Sequence, residues 1–339
     1  MKVLVKTWLD IYHSYANVAY FVLKYLKQNE KIELFVQEAD YYNAEWRRHY
    51  QNNLEIKKYN GEKVDLVFSM YFPYVYDFQF QDIPQVIFYT AEVPVFNSCY
   101  WNISLDKIQQ LVNNKQLILL TPSYKSAEIF RDTAPVYIVP HGFDTDFYFP
   151  SEKNFRKQLG IPEDSKVFLN VSSCTGNKNL QLIIQSFLMM EDKKSILILK
   201  GIDSLYRSRM RLESQLNELG IKIEYSRIRF VFDTLSFENM NILYNTADVY
   251  VSAGIYEGFD VPIVEAKACG LTIIAHKESP NHFLADYTFN DKLMLKFQME
   301  SCLPKSKIPH INKEFYGKYS YKNIAELFYQ LFNMYVERK

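Results

Sequence analysis

Short apolar runs alternate along the chain with longer segments in which apolar residues recur every three or four positions. The short runs are mostly continuous, which is typical of strands covered on both faces in a parallel sheet. The longer segments have the period of amphipathic helices. This alternation predicts βαβ units and therefore a doubly wound α/β architecture.

The pattern predicts two series of strands with helices between most of them. The predicted strands are 2–6, 32–36, 64–69, 85–89, 117–120 and 136–139, then 166–171, 195–200, 222–225, 228–232, 248–252 and 271–275. The predicted helices are 15–28, 104–113, 123–132, 180–189, 204–219, 237–246, 262–269 and 322–338. In the last of these, the predicted packing stripe is Ile324, Leu327, Phe328, Leu331, Met334 and Tyr335.

An irregular segment bounded by prolines, 140–150, separates the two series. It predicts a junction between domains. We therefore expect a Rossmann-like domain at 1–140, an interdomain segment at 141–150, a second Rossmann-like domain at 151–318 and a final helical segment at 319–339. Ligands of doubly wound sheets bind at the carboxyl ends of the strands, so two such domains facing each other would form a cleft.

Composition narrows the classes of protein to which this chain could belong. The 339 residues include 39 Lys and Arg and 39 Asp and Glu, and this zero net charge argues against a nucleic-acid partner. The four cysteines are widely scattered, which favours a reduced, cytoplasmic protein. No signal-like segment or apolar run of about 20 residues is present. Segment 45–50 mixes basic and aromatic residues, so peripheral membrane contact stays open beside a solvated helix face.

The stretch 252–270 concentrates the candidate chemistry. It follows a predicted strand, Pro262 suits the first position of a helix, and Gly270 suits the position after its end. Backbone N–H groups at such a helix start attract phosphate or sugar oxygens. Glu257 and Glu265 bracket the turn, and carboxylates of this kind accept hydrogen bonds from neutral polyols.

This stretch resembles the E-x7-E signature of the group 1 (family 4) glycosyltransferases, which are retaining enzymes of the GT-B fold. The likeness rests on Glu257-Gly258-Phe259, Glu265-Ala266 and Gly270. Three further segments resemble the family in the expected order, namely 139–150, Lys178-Asn179 with 183–187, and 243–251. The resemblance is strong over 136–280 and weak over 1–135. It implies two Rossmann-like domains, the first on the acceptor side and the second on the donor side, with the last helix returning to the first.

The resemblance also implies roles for individual residues. Glu265 would hold the ribose hydroxyls of a nucleotide-sugar donor, and Glu257 would contact the transferred sugar. Lys178 would neutralise the donor diphosphate. The candidate donor-binding set also includes Ser173, Lys200 and the residues that follow Glu257, which are Gly258, Phe259, Asp260 and Val261. Phe232 and Leu235 would lie beside the base. The family usually needs no metal, so neither a metal nor another cofactor is expected.

The chain departs from the family pattern at two donor-side positions. Ser173 stands where the family normally has an arginine, five residues before Lys178. Lys200 is either a substitute cation or a strand-end surface lysine. Asp260 replaces the second glycine of the motif and is either a sugar contact or a surface loop residue.

In the first domain the candidates are His13 and Glu92, which follow predicted strands. The alternatives are that Ser14 merely caps the helix beginning at Tyr15 and that Glu92 is an ordinary loop carboxylate. Asp144 and Asp146 fit a short metal motif, but Asp144 more simply fixes a turn.

Two functions of different classes follow. The first is a retaining, metal-independent transfer of a hexose-like sugar from a nucleotide donor to a glycan, glycolipid or glycoprotein hydroxyl. The second, motivated by Ser173, is a catalytically degenerate module that binds a glycan or nucleotide. A third, a sugar-phosphate synthase or epimerase, would need basic residues in the first domain, where no convincing set is present. The donor base, linkage and oligomeric state stay open.

Overall fold

The computed structural model describes residues 1–9, 11, 13–41, 54–93, 95–222, 227–303 and 312–337. The chain divides into two compact units. Unit 1 contains Met1–Gly142 and Gly317–Lys339, and unit 2 contains Phe143–Tyr316. The segment 45–50 and most of the predicted strand 222–225 lie outside the described residues.

Unit 1 is built on a parallel sheet, of which seven strands fall in the described residues. Its strands are β1 (Lys2–Thr7), β2 (Glu33–Glu38), β3 (Lys57–Lys58), β4 (Leu66–Met70), β5 (Gln85–Phe88), β6 (Leu117–Thr121) and β7 (Val136–Ile138). Its first helices are α1 (Ser14–Leu26), α2 (Leu105–Asn113) and α3 (Tyr124–Ala127). The spatial order is β3-β2-β1-β4-β5-β6-β7, so the order reverses between β1 and β4.

Unit 2 repeats the plan. Its strands are β8 (Val167–Val171), β9 (Ile196–Lys200), β10 (Ile228–Val231), β11 (Val249–Ser252), β12 (Thr272–His276) and β13 (Tyr287–Phe289). Its helices are α4 (Leu180–Leu188), α5 (Asp203–Tyr206), α6 (Ser208–Glu218), α7 (Phe237–Thr246), α8 (Val261–Ala268) and α9 (Lys292–Ser301). The order β10-β9-β8-β11-β12-β13 is that of a Rossmann fold, with its switch point between β8 and β11.

The continuous apolar runs of the sequence correspond to buried strands, as predicted. Every residue of β4, β6 and β9 is buried, as expected of strands that are covered on both faces of a sheet. The strand β9 even buries Lys200 at its end. Two parallel sheets with helices between their strands are therefore present, as the alternation predicts.

The chain ends in two helices, α10 (Lys313–Tyr319) and α11 (Tyr321–Val336). The buried face of α11 is formed by Tyr321, Ile324, Ala325, Phe328 and Phe332. The predicted stripe was therefore wrong at Leu327 and Met334, which are exposed. The helix is rotated so that Phe328 and Phe332 meet Phe68 of β4, with ring centroids 5.2 and 5.1 Å apart.

Some elements differ from prediction for local reasons. The predicted helix 204–219 is two helices, because Arg207 between them has a left-handed backbone (φ 50°). The predicted helix 123–132 is only the short α3, followed by a 3₁₀ turn at Glu128–Phe130. The strands β3 and β13 and the helices α9 and α10 were missed. The two strands are short, with two and three residues, and carry too little pattern to detect.

Candidate functional site

The predicted donor-side residues cluster at the switch point of unit 2. The loop after β8 leads to Lys178, and the loop after β11 leads through Glu257 to the start of α8. The strands β8 and β11 are adjacent and parallel, so both loops leave the same edge of the sheet. This is the edge at which doubly wound folds bind their ligands.

The side chains of Lys178 and Glu257 form an ion pair at this edge. The Nζ atom of Lys178 lies 2.5 Å from Oε1 of Glu257. The two side chains are 21% and 9% exposed, which leaves the pair less screened by water than a surface salt bridge. Asn177 reinforces the contact between the loops, because its side-chain amide donates to the backbone oxygen of Tyr256 at 3.1 Å. The structure thus brings together two residues that the resemblance placed in one site.

Gly254 provides the space that the Glu257 carboxylate occupies. A Cβ atom added at Gly254 would lie 2.6 Å from Oε1 of Glu257, whereas one added at Gly176, on the opposing loop, would meet nothing within 4 Å. Contacts under 3.0 Å force a shift of one partner. The glycine at 254 therefore lets the Glu257 carboxylate occupy this position, and sequence reasoning missed it.

Asp260 precedes α8 in a left-handed conformation (φ 64°, ψ 66°). Aspartate tolerates this region better than most residues, which explains how it replaces a glycine here. Its carboxylate is half-buried and accepts a hydrogen bond of 2.5 Å from Ser252. Burial, reinforced by the nearby Glu257 charge, raises the pKa of Asp260 to about 7. Asp260 thus lies in the loop before α8 with a half-buried, hydrogen-bonded carboxylate, and its role as a sugar contact stays a prediction. Because α8 begins at Val261, Pro262 is its second residue, not its first.

Glu265 lies on α8 and is held by tyrosine hydroxyls. The hydroxyl of Tyr244, on α7, donates to Oε2 of Glu265 at 2.7 Å. The Tyr148 hydroxyl also hydrogen-bonds this carboxylate. Burial raises the pKa of Glu265 to about 7, while both hydroxyl contacts lower it. Sequence reasoning found Glu265 but missed its partners, because nothing in the local pattern marks a tyrosine as a carboxylate ligand.

Ser173 follows β8, and Lys200 is the last residue of the neighbouring strand β9. The hydroxyl of Ser173 lies 2.9 Å from that of Thr175. Lys200 is buried, and its ammonium donates to the backbone oxygen of Gly201. Burial lowers the pKa of Lys200 to about 8, although nearby Asp233 opposes this. The interpretation of Lys200 as a surface lysine was therefore wrong.

Phe232 and Leu235 lie in the loop between β10 and α7. Phe232 is buried, stacks on Phe230 with centroids 5.5 Å apart, and receives the Arg209 guanidinium 5.3 Å from its ring centre. Gly201 is required beside it, since an added Cβ would lie 2.9 Å from the ring. The side chain of Leu235 is half-buried.

In unit 1, His13 is the N-cap of α1. Its Nδ1 accepts a 3.2 Å hydrogen bond from the backbone N–H of Tyr15, so the expectation that Ser14 caps this helix was wrong. The ring also packs edge-on against Trp8, with centroids 5.0 Å apart. Burial lowers the pKa of His13 to about 4, so this imidazole is neutral near pH 7.

Buried tyrosines continue this edge of unit 1. The hydroxyls of Tyr15 and Tyr74 lie 3.0 Å apart, and Tyr74 also hydrogen-bonds the backbone oxygen of Thr90 at 2.5 Å. Burial raises the pKa of Tyr74 to about 12, and the charge of Glu92 adds to this effect. Glu92 itself is exposed. His13 and Glu92 therefore both lie near one group of aromatic hydroxyls.

Asp144 is buried, and its Oδ1 accepts from the backbone N–H of Asp146 at 2.8 Å, as expected for a turn. Within the described residues, no group of three or more His, Cys, Asp or Glu side chains could hold a metal ion. In the same part of the chain, no helix is long and apolar enough to cross a membrane.

Sequence comparison relates most of unit 2 to a known protein family. Residues 151–285 match the model of the family "Glycosyl transferases group 1". A lipopolysaccharide 1,2-N-acetylglucosaminetransferase from Salmonella typhimurium is 26% identical over 62% of this chain and 60% of its own length. A D-inositol 3-phosphate glycosyltransferase from Corynebacterium jeikeium is also 26% identical, over 49% of this chain and 42% of its own. The matches therefore span only about half of these curated relatives.

Solved structures resemble the chain over nearly its whole length. Anabaena HepE in complex with UDP and glucose has a TM-score of 0.70 at 14% identity, covering 98% of this chain and all of that one. A glycosyltransferase from Rickettsia africae has a TM-score of 0.75 at 12% identity, covering 100% and 99%. Likeness at such low identity establishes the fold. The GT-B fold class and the resemblance to group 1 glycosyltransferases are thus confirmed.

Proposed function

We propose that this chain, whose residues 151–285 match the group 1 glycosyl transferases, moves a sugar from a nucleoside diphosphate donor to a hydroxyl group. The acceptor class is a glycan, glycolipid or glycoprotein. The donor class is supported by HepE, which was solved with UDP, with UDP and glucose, and with UDP-glucose. Group 1 relatives that act on a lipopolysaccharide and on an inositol phosphate support a hydroxyl acceptor.

The observation that carries the proposal is the Lys178–Glu257 pair beside the start of α8. When a nucleoside diphosphate leaves the sugar, negative charge develops on its phosphate oxygens and must be stabilised. The Lys178 ammonium and the positive end of the α8 dipole supply that stabilisation. Because protein groups provide the positive charge, the proposed reaction does not depend on a metal.

Glu257 contributes at the sugar. Its carboxylate holds the ammonium of Lys178. In the proposed reaction this carboxylate faces the anomeric carbon of the bound donor, where positive charge develops. Carboxylates stabilise such oxocarbenium-like centres in glycosidases, and the same physics applies to transfer. We propose retention by front-face displacement, in which the C–O bond to the diphosphate breaks as the acceptor oxygen bonds to the same face. The departing phosphate oxygen accepts the proton of the acceptor hydroxyl.

Glu265 acts on the nucleotide. Its carboxylate, four residues into α8 from Val261, accepts hydrogen bonds, so it suits the two hydroxyls of a ribose. The proposed division of labour gives Glu265 the affinity for the donor and Glu257 the rate of transfer. Removing each side chain separates these roles, since affinity and turnover are measured independently.

The test is a panel of UDP, GDP, ADP, CDP and dTDP and their sugar conjugates. Thermal unfolding identifies the base, because a ligand at about 100 times its Kd adds about 2.7 kcal/mol of stability. With that donor, released nucleoside diphosphate and acceptor mass report transfer. We expect Glu265→Ala to weaken binding and Glu257→Ala to lower kcat, while Glu213→Ala, at an exposed position on α6, changes neither. Unchanged donor affinity in Glu265→Ala would contradict the ribose role.

A second candidate function is favoured by Ser173, which replaces the arginine expected of the family and bonds Thr175 instead. In this alternative the chain binds a glycan or nucleotide without turnover. It predicts stabilisation by a ligand of the panel but no release of nucleoside diphosphate from any sugar conjugate, with or without acceptors. Release from one donor would exclude it.

A further inference from the structure

Two buried tyrosines reach Glu265 from different parts of unit 2. Tyr244 lies near the end of α7, and its hydroxyl donates to Oε2 of Glu265 at 2.7 Å. Tyr148 belongs to the irregular segment that opens unit 2, and its hydroxyl also hydrogen-bonds Glu265. The two rings pack edge to face with centroids 6.0 Å apart. Both tyrosines are almost completely buried, so protein packing fixes their positions.

The segment that carries Tyr148 is fastened to the helix that carries Tyr244. The backbone N–H of Phe149 donates to Oδ1 of Asn241 at 3.3 Å, and that of Ser151 donates to Oδ1 of Asn245 at 2.8 Å. The side-chain amide of Asn245 donates a hydrogen bond of 3.0 Å to the backbone oxygen of Phe149. The segment and α7 therefore present both hydroxyls as one rigid unit.

Besides holding the Glu265 carboxylate in place, these hydroxyls affect its pKa. Among the described residues, the hydroxyls of Tyr148 and Tyr244 hydrogen-bond its carboxylate, and its charge also acts on the phenol of Tyr250 and the carboxyl of Asp260. Burial favours the neutral acid and raises its pKa to about 7. The hydroxyls donate to the charged form and oppose the effect of burial.

We propose that Tyr148 and Tyr244 are positioning residues, which favour the ionised form of the Glu265 carboxylate and fix its orientation toward the donor. This inference rests on the proposed function only through the ligand that Glu265 would bind. An ionised carboxylate accepts hydrogen bonds from two ribose hydroxyls, whereas a protonated one has lost part of that capacity. The tyrosines thus tune donor affinity although they are not assigned a contact with the donor.

The first test needs no ligand. The carboxyl ¹³C signals of glutamate-labelled protein are titrated in the wild type, Tyr148→Phe, Tyr244→Phe and the double variant, with Glu265→Gln assigning the Glu265 signal. We expect the pKa of Glu265 to rise by about 0.5 to 1 pH unit in each single variant. Tyr316→Phe is the matched control, because its hydroxyl bonds α8 at the backbone oxygen of Ala268. An unchanged pKa of Glu265 in both single variants would overturn the inference.

The second test measures donor nucleotide affinity from pH 6 to 9 by calorimetry. In the wild type, affinity should rise with pH as Glu265 ionises, and in the phenylalanine variants the midpoint should move to higher pH. A merely structural role would lower affinity equally at all pH values, and that result counts against the inference. If the wild type binds no nucleotide, the proposed function fails while the titration still decides the inference.

Discussion

The two units share one strand order over six strands, to which unit 1 adds β7, but they place different chemistry at the carboxyl ends of their strands. In unit 2, the loops after β8 and β11 bring together the charged side chains of Lys178 and Glu257. In unit 1, the segments that follow β1 and β4 bring together aromatic and neutral groups, including His13, Tyr15 and Tyr74. The histidine is neutral at pH 7, because burial lowers its pKa to about 4.

The difference shows that topology decides where a ligand site forms and side-chain chemistry decides what it suits. A charged edge suits a ligand whose charge changes during reaction, such as a nucleoside diphosphate. An edge of aromatic rings and hydroxyls suits a neutral, hydroxyl-rich ligand. Under the proposed function, unit 2 therefore takes the donor and unit 1 takes the acceptor.

The largest expected effect comes from removing the cation of unit 2. Lys178→Met should weaken donor binding by about 10- to 100-fold, since one charge-assisted hydrogen bond contributes about 1.5–3 kcal/mol. The measurement is nucleotide affinity by calorimetry, repeated at high salt, where the loss should shrink. Lys194→Met is the control, because this exposed lysine pairs only with Asp164 among the salt bridges of the described residues. Equal nucleotide affinities for Lys178→Met and wild type would contradict the conclusion that the charged edge of unit 2 suits the donor.

A smaller loss should follow from filling the space behind Glu257. Gly254→Ala puts a Cβ 2.6 Å from Oε1 of Glu257, so the carboxylate must move and kcat should fall about tenfold. Gly176→Ala is the matched control on the opposing loop, because its Cβ would meet nothing within 4 Å. Initial rates of both variants decide the point. Similar rates in the two would mean that the carboxylate position does not govern turnover.

The two edges should also impart opposite pH dependence to stability. Glu265 has a pKa of about 7 in the folded chain, above its ordinary value of about 4.3. The folded state therefore binds more protons between pH 4 and 7, and the stability from this group is lost as pH rises through that window. His13, with a pKa near 4 instead of about 6.5, contributes stability that is lost as pH falls from about 6.5 to 4.

Scanning Tm from pH 4 to 8 in two variants separates the contributions. Glu265 makes Tm fall as pH rises, and Glu265→Gln should reduce that fall relative to wild type. His13 makes Tm increase as pH rises, and His13→Asn, which keeps a capping side chain, should reduce that increase. Parallel curves for wild type and both variants would show that neither group is perturbed as its burial implies.

The smallest effect is expected in unit 1. Glu92 is exposed, so Glu92→Gln removes at most a partly hydrated contact and should raise the KM for acceptor about two- to threefold. The KM for donor should not change. A larger change in the donor KM than in the acceptor KM would contradict the assignment of the two ligands to the two units.

The sequence alone determined the architecture and the main charged residues. Continuous apolar runs separated by amphipathic segments need no tertiary information to indicate parallel sheets, and β4, β6 and β9 are buried as such runs require. The resemblance to the motifs of the family identified Lys178 and Glu257, which do form a pair. These features lie within single elements or loops, where local pattern carries the information.

Only the tertiary structure decided how those residues are supported. Tyr148, Tyr244 and Gly254 act across loops and helices, and a sequence pattern does not encode such contacts. The same is true of Lys200, which lies at a strand end yet is buried, and of α11, whose rotation exposes Leu327. Burial and hydrogen-bond partners depend on which elements pack together, so the pKa values of Glu265, Asp260 and His13 become defined only when the chain is folded.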